Sequence, residues 1–123
     1  MAFLFLMELV ALLSEGKGSW AQVSGLIKQG EWDNILLLGN DFARKFTVDG
    51  NKKYEFIEIK DLNLIELKQQ ILEKLKNKIK GTEVALSIAS GNGKEHMALI
   101  SALLSIPVGI RFTALTKQGI VFM

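Results

Sequence analysis

The 123-residue sequence predicts one α/β domain over residues 1–123, a mainly parallel sheet with helices on both faces and a C-terminal β-hairpin. Three observations carry that expectation. Continuous apolar runs at Phe3–Val10, Ile35–Leu38 and Val84–Ala89 are short and lack polar alternation, as in strands buried on both faces. Amphipathic stretches of helical period stand between them. That alternation of strand and helix implies right-handed crossovers, which place helices on either side of the sheet.

The first run, Phe3–Val10, suits a buried strand, although its Leu, Met and Ala leave a helix open. Ser19-Trp20-Ala21-Gln22 has the form of a capping box, Trp20, Val23, Leu26 and Ile27 follow at helical spacing, and Gly30 ends the helix. Ile35–Leu38 is the second strand, closed by Gly39-Asn40, and Asn40 or Asp41 is placed to cap a turn over Phe42–Phe46. Tyr54–Ile59 alternates apolar with acidic residues and so reads as an edge or near-edge strand. From Leu62 to Lys80, residues Ile65, Leu67, Ile71, Leu72, Leu75 and Ile79 trace one helical face. Lys74, Lys76, Lys78 and Lys80 suit the negative end of its dipole. Val84–Ala89 is a further buried strand, Glu95–Ser105 a largely apolar helix, and Ile110–Leu115 with Ile120–Met123 a hairpin through Thr116–Gly119.

Composition narrows the function classes. With no cysteine and one histidine, neither a disulfide framework nor a thiolate or imidazole metal site is expected, and a reducing cytoplasm fits. A net charge of +2 is too small for a general binder of duplex nucleic acid. The apolar run that starts at Ala2 carries Glu8, falls short of a membrane span, and lacks the basic leading region of a signal peptide, so it reads as core. A 49% hydrophobic chain with mean hydropathy +0.25 has more apolar surface than a small monomer hides, which points to a homodimer.

Ligands of doubly wound sheets lie beyond the carboxyl ends of the strands where chain order reverses. That rule selects the loop Ser14–Ser19 and the turn Ser90-Gly91-Asn92-Gly93-Lys94, whose parent strands are neighbours in the common orders. The second turn suits an anion. Its glycines allow close approach of the backbone, the amides of Gly93, Lys94 and Glu95 sit at the positive end of a helix, and Lys94 adds a charge. It is not a nucleoside-triphosphatase loop, because the leading glycine is missing and Glu95 stands where Ser or Thr would hold magnesium. Gly16-Lys17-Gly18-Ser19-Trp20-Ala21 matches the dinucleotide fingerprint, with Asp41 near the place of a ribose-binding acid, but Ala11–Glu15 separate it from the expected strand. His96 reads as a surface or satisfied core histidine rather than a base. No carboxylate pair, nucleophile–base set or metal constellation stands out. Any catalysis would rest on positioning and charge, with Ser19, Ser90, Lys17 and Lys94 as the candidate groups.

Ser90-Gly91-Asn92-Gly93-Lys94-Glu95-His96-Met97 resembles the Thr/Ser-Gly-Gly-Thr-Lys-x-Met turn after the fourth strand of the CRISPR-associated Rossmann-fold (CARF) domains. Ser90, Gly91 and Lys94 align; Asn92 and Gly93 replace Gly and Thr, and Met97 falls one residue late. The layout from Phe3 through the Trp20 helix, and from Val84 to the hairpin, is similar as well. The resemblance implies a dimeric, stand-alone sensor of cyclic oligoadenylate in antiviral defence, the ligand lying across the two-fold axis. Lys17, Gly18, Ser19, Ser90, Gly91, Asn92, Gly93 and Lys94 would be the ligand-binding residues, with no further cofactor. Two activities are consistent with it: binding alone, or metal-independent cleavage of the ring. A nicotinamide-type Rossmann module and a non-catalytic assembly subunit are the alternatives.

Overall fold

Apolar residues of opposite parity on the central strands feed two separate cores, and this sets the layering of the molecule. The structure, a computed structural model, describes residues 7–14, 17–50 and 52–123. In chain order the elements are β1 (Glu8–Leu13), α1 (Lys17–Gln29), β2 (Asn34–Gly39), a short 3-10 helix (Asp41–Lys45), β3 (Glu55–Glu58), α2 (Leu64–Leu75), β4 (Glu83–Ser87), α3 (Gly93–Ser105), β5 (Gly109–Thr116) and β6 (Gly119–Phe122). They form one six-stranded sheet in the order β3-β2-β1-β4-β5-β6, parallel except for the antiparallel β5–β6 pair. The fold is a Rossmann-like α/β domain.

Leu9, Ala11 and Leu13 of β1 with Ile35 and Leu37 of β2 pack under Val23, Leu26 and Ile27 of α1. Val10, Leu12, Leu36 and Leu38 point the other way, against Leu67, Ile71 and Leu75 of α2 and Ala98, Leu99 and Ala102 of α3. Every residue of β1 is buried, as a central strand covered on both faces requires.

Boundaries differ from the sequence expectation in ways that have physical causes. The first strand runs Glu8–Leu13 rather than Phe3–Val10, and Phe3–Leu6 lie outside the described residues. Glu8, which reads as an interruption of the apolar run, opens the strand. Its carboxylate is 1% exposed and accepts from Asn34 Nδ2 at 2.7 Å, from Lys80 N at 3.0 Å and from Gly81 N at 2.5 Å. These bonds tie the start of β1 to β2 and to the segment entering β4. Helix α1 begins at Lys17, so the Ser19–Gln22 capping box does not form. The Gln22 amide instead pairs with the backbone of Leu115 on β5.

Helix α2 is shorter than Leu62–Lys80, being capped by the Asn63 side chain on Glu66 N and ending at Leu75, and Ile65 is 70% exposed rather than on the buried face. The lysines in its last turn and beyond do more than meet a dipole. Lys74 Nζ donates to Glu58 O at 2.6 Å and Lys78 pairs with Glu55, so both hold the edge strand β3. Asn40 caps the 3-10 turn through Ala43 N, one of the two capping alternatives in the sequence.

Gly39, the last residue of β2, is where a side chain has least room. An added Cβ would lie 2.6 Å from Ala43 Cβ and 2.8 Å from the backbone oxygen of Leu13. Gly39→Ala is expected to cost about 2 kcal/mol, the scale of overpacking against atoms that cannot swing aside. Urea unfolding of the variant checks this, and an unchanged midpoint would show that the 3-10 turn shifts freely.

Candidate functional site

Reversal of chain order falls between β1 and β4, which pair in parallel through Leu9–Ala85, Val10–Leu86 and Ala11–Ser87. The loops leaving their carboxyl ends are the two that the sequence selects. They are joined directly. Ser14 N donates to Ser90 Oγ at 2.6 Å, and the Ser14 carbonyl accepts from Trp20 Nε1 of α1. Ser90 is 2% exposed, and its own carbonyl lies 3.0 Å from His96 Nε2. A carbonyl only accepts, so Nε2 carries the proton in that contact. His96 is thereby a satisfied histidine fixing the turn, as its sequence context suggests.

Gly91 has φ of +100°, the left-handed region that favours glycine, and a Cβ there would also come within 3.2 Å of Leu12, Glu95 and His96. The chain then enters α3 through Asn92. Asn92 Oδ1 accepts from Glu95 N at 2.8 Å while Glu95 Oε1 accepts from Asn92 N at 2.9 Å, a complete capping box. Asn-x-x-Glu is visible in the sequence, where the glycine-rich turn drew attention away from it. One consequence corrects the expected site: the Glu95 amide is occupied, whereas those of Gly93 and Lys94 have no acceptor among the described residues. Among the described residues, nothing beyond its chain neighbours and the helix backbone lies within 4 Å of the position a Gly93 Cβ would take, so this end of the helix is open.

Lys94 is not the unengaged cation expected from the sequence. Its Nζ donates to Asp61 Oδ1 at 2.7 Å and to Leu62 O at 2.8 Å, which straps α3 to the β3–α2 connection. The ammonium holds the Asp61 carboxyl below the ordinary aspartate value, by its hydrogen bond first and its charge second. A depressed carboxylate favours the folded state above its unfolded pKa, and the benefit disappears as pH falls through the folded value. Because Asp61 is an exposed side chain, the expected effect is a local titration. In a carboxyl-detected NMR titration Asp61 should deprotonate below the ordinary aspartate value, and Lys94→Ala should raise its midpoint.

Beside this strap is a cavity of about 320 Å³ lined by Ser14, Asn40, Ile59, Lys60, Asp61, Leu67, Asn92 and Glu95. It sits at the carboxyl ends of β1, β2 and β3. Sequence reasoning placed the site at the β1 and β4 loops and missed Asn40, Lys60 and Asp61; the strand order supplies them. Lys17 and Gly18 open α1, and the side chains there lie outside the described residues, as do Glu15 and Gly16 of the dinucleotide fingerprint. Ser19 is the third residue of that helix and has an interaction partner. Asp41 follows β2, as a ribose-binding acid would, but its carboxylate is 87% exposed and pairs with Arg44 at 3.5 Å.

Buried Ser87, at the end of β4, has a hydroxyl with no hydrogen-bond partner among the described residues. By strand alternation with Ala85 it faces the α1 side of the sheet. Among the described residues no cluster of His, Asp and Glu could hold a metal ion, and no helix is long and apolar enough to cross a membrane. No protein-family model matches the chain, and no curated protein matches it in sequence.

Proposed function

We propose that the domain binds an anionic nucleotide at the β1–β4 switch point, most concretely cyclic oligoadenylate shared between two copies of the chain. One observation carries the reading: the loops after β1 and β4 converge, tied by the Ser14–Ser90 hydrogen bond, beside the two unbonded amides that open α3. Amides at a helix N-terminus carry the positive end of the dipole and suit a phosphate. Ser90 and Gly91 shape the turn, Gly93 and the Lys94 backbone contact the anion, and Lys17, Gly18 and Ser19, at the start of α1, complete the set of ligand-binding residues in this reading. The adjoining cavity lies at the lower end of ligand-pocket volumes, about 300–1,000 Å³, and so suits one nucleotide unit per protomer. This agrees with the CARF resemblance of the turn.

Dimerisation is part of the proposal. Met97 and Leu104 on α3 are 60% and 61% exposed and share a face with Ile100, an uncharged stripe that a second copy would cover. Calorimetry with cyclic tetra- and hexa-adenylate tests the ligand, with light scattering for the dimer. Saturable binding of one ring at one per two chains is expected; no heat from either ring defeats the reading. Chromatography of incubated ligand distinguishes binding from ring opening, and the cytoplasmic, defence-related role stands or falls with the ligand.

A second reading gains from the position of β1. Because the strand ends at Leu13, Gly16 follows it closely, and β3-β2-β1-β4-β5 is the order of dinucleotide-binding sheets. Fluorescence titration with reduced nicotinamide cofactors tests this module, and a flat response removes it.

A further inference from the structure

We infer that Asp61 is the resident anion of this site, occupying Lys94 until a ligand phosphate displaces it, and that it thereby sets how much negative charge a ligand must bring. The inference rests on the anion-binding reading above. Lys94 is the second residue of α3, so its backbone amide belongs to the open end of the helix while its ammonium is turned to the β3–α2 connection, bonded to Asp61 Oδ1 and Leu62 O. Asp61 also lines the cavity, together with Lys60, Asn92 and Glu95. A carboxylate that lines the cavity thus stands against Lys94, whose own backbone amide is one of the two unbonded ones that open α3.

The strength of the pair makes exchange feasible. Lys94 and Asp61 side chains are 38% and 93% exposed, and an ion pair in such water contact is worth a factor of about five at most. A phosphate that gains the Gly93 and Lys94 amides as well as the ammonium offers more than Asp61 does, so it takes over the lysine. A weakly charged ligand does not repay the loss of the pair. Glu95 does not compete for Lys94 in the same way, since its Oε1 is engaged by Asn92 N. Lys60, which lines the same cavity, is available to either anion as a general attraction and does not depend on the exchange.

Inorganic pyrophosphate, a sugar-free anion, is the probe for a double-variant cycle of Asp61→Asn and Lys94→Gln read by calorimetry. Asp61 is exposed, so its replacement leaves the fold intact, and circular dichroism verifies this. Asp61→Asn should tighten pyrophosphate about threefold when Lys94 is present and leave affinity unchanged when Lys94 is Gln. Equal tightening in both backgrounds would reduce Asp61 to a diffuse negative charge and overturn the exchange. No change in either background overturns it as well, and in both cases the anion site itself survives. If neither the native chain nor Asp61→Asn binds pyrophosphate at all, the anion site is absent and the exchange falls with it.

Discussion

Glu8→Ala should lower stability by about 3 kcal/mol, the largest loss expected of any single exposed-to-solvent-free polar change in this fold. The carboxylate is buried at the start of β1 and receives N–H groups from the Asn34 side chain and from the backbone of Lys80 and Gly81. Alanine removes the acceptor and leaves those donors without it. Asn34 keeps a bond to Lys78 O at 3.0 Å, but the two backbone amides have no other acceptor nearby among the described residues. Domains of this kind are stable by roughly 5–15 kcal/mol, so the variant forfeits a substantial share. Glu8→Gln should lose less, because one oxygen still accepts while its NH2 opposes another donor. Urea unfolding of both variants gives the comparison. Equal midpoints for native and Glu8→Ala would mean that water replaces the carboxylate. Since Glu8 lies at the amino end of β1, opposite the crevice, anion binding by the folded fraction should be unaffected.

The same residue shows why some of the fold is legible in the sequence and some is not. Buried strands, their alternation with helices and the final hairpin follow from local runs, and the adjacency of β1 and β4 follows from chain-order rules applied to them. A charge within an apolar run looks like a break, because nothing local reveals that Lys80 and Gly81, more than seventy positions away, will solvate it. Likewise Gln22 looks like a capping residue until Leu115 is brought beside it. At the site, the turn from Ser90 to Lys94 is legible because glycine and a following helix have local meanings. The Asp61 partner of Lys94 is not, since it depends on how far α3 lies from the β3–α2 connection. Asn40 and Lys60 enter the cavity through strand order alone.

Gly93→Asp should abolish binding of the proposed nucleotide, weakening it by more than about 100-fold, while leaving the fold as stable as before or slightly more so. The opposite signs are the point of the experiment. Gly93 is the first residue of α3, nothing among the described residues beyond its chain neighbours and the helix backbone lies within 4 Å of its would-be Cβ, and its φ is not in the left-handed region, so a side chain is sterically accepted. An acidic residue in a first helical turn is favourable by about 0.3–1 kcal/mol, since it meets the positive end of the dipole. That same carboxylate sits where a phosphate would accept from the Gly93 and Lys94 amides, and repels it at close range. A variant that failed merely by misfolding would lose stability along with binding. Calorimetry with cyclic tetra-adenylate and thermal unfolding, run on one preparation, separate the two. Undiminished affinity in a stably folded Gly93→Asp protein would place the ligand elsewhere, whatever the loops at the switch point suggest. Gly93→Ala, which adds volume without charge, should bind within a few-fold of the native chain, so that charge rather than bulk accounts for the loss.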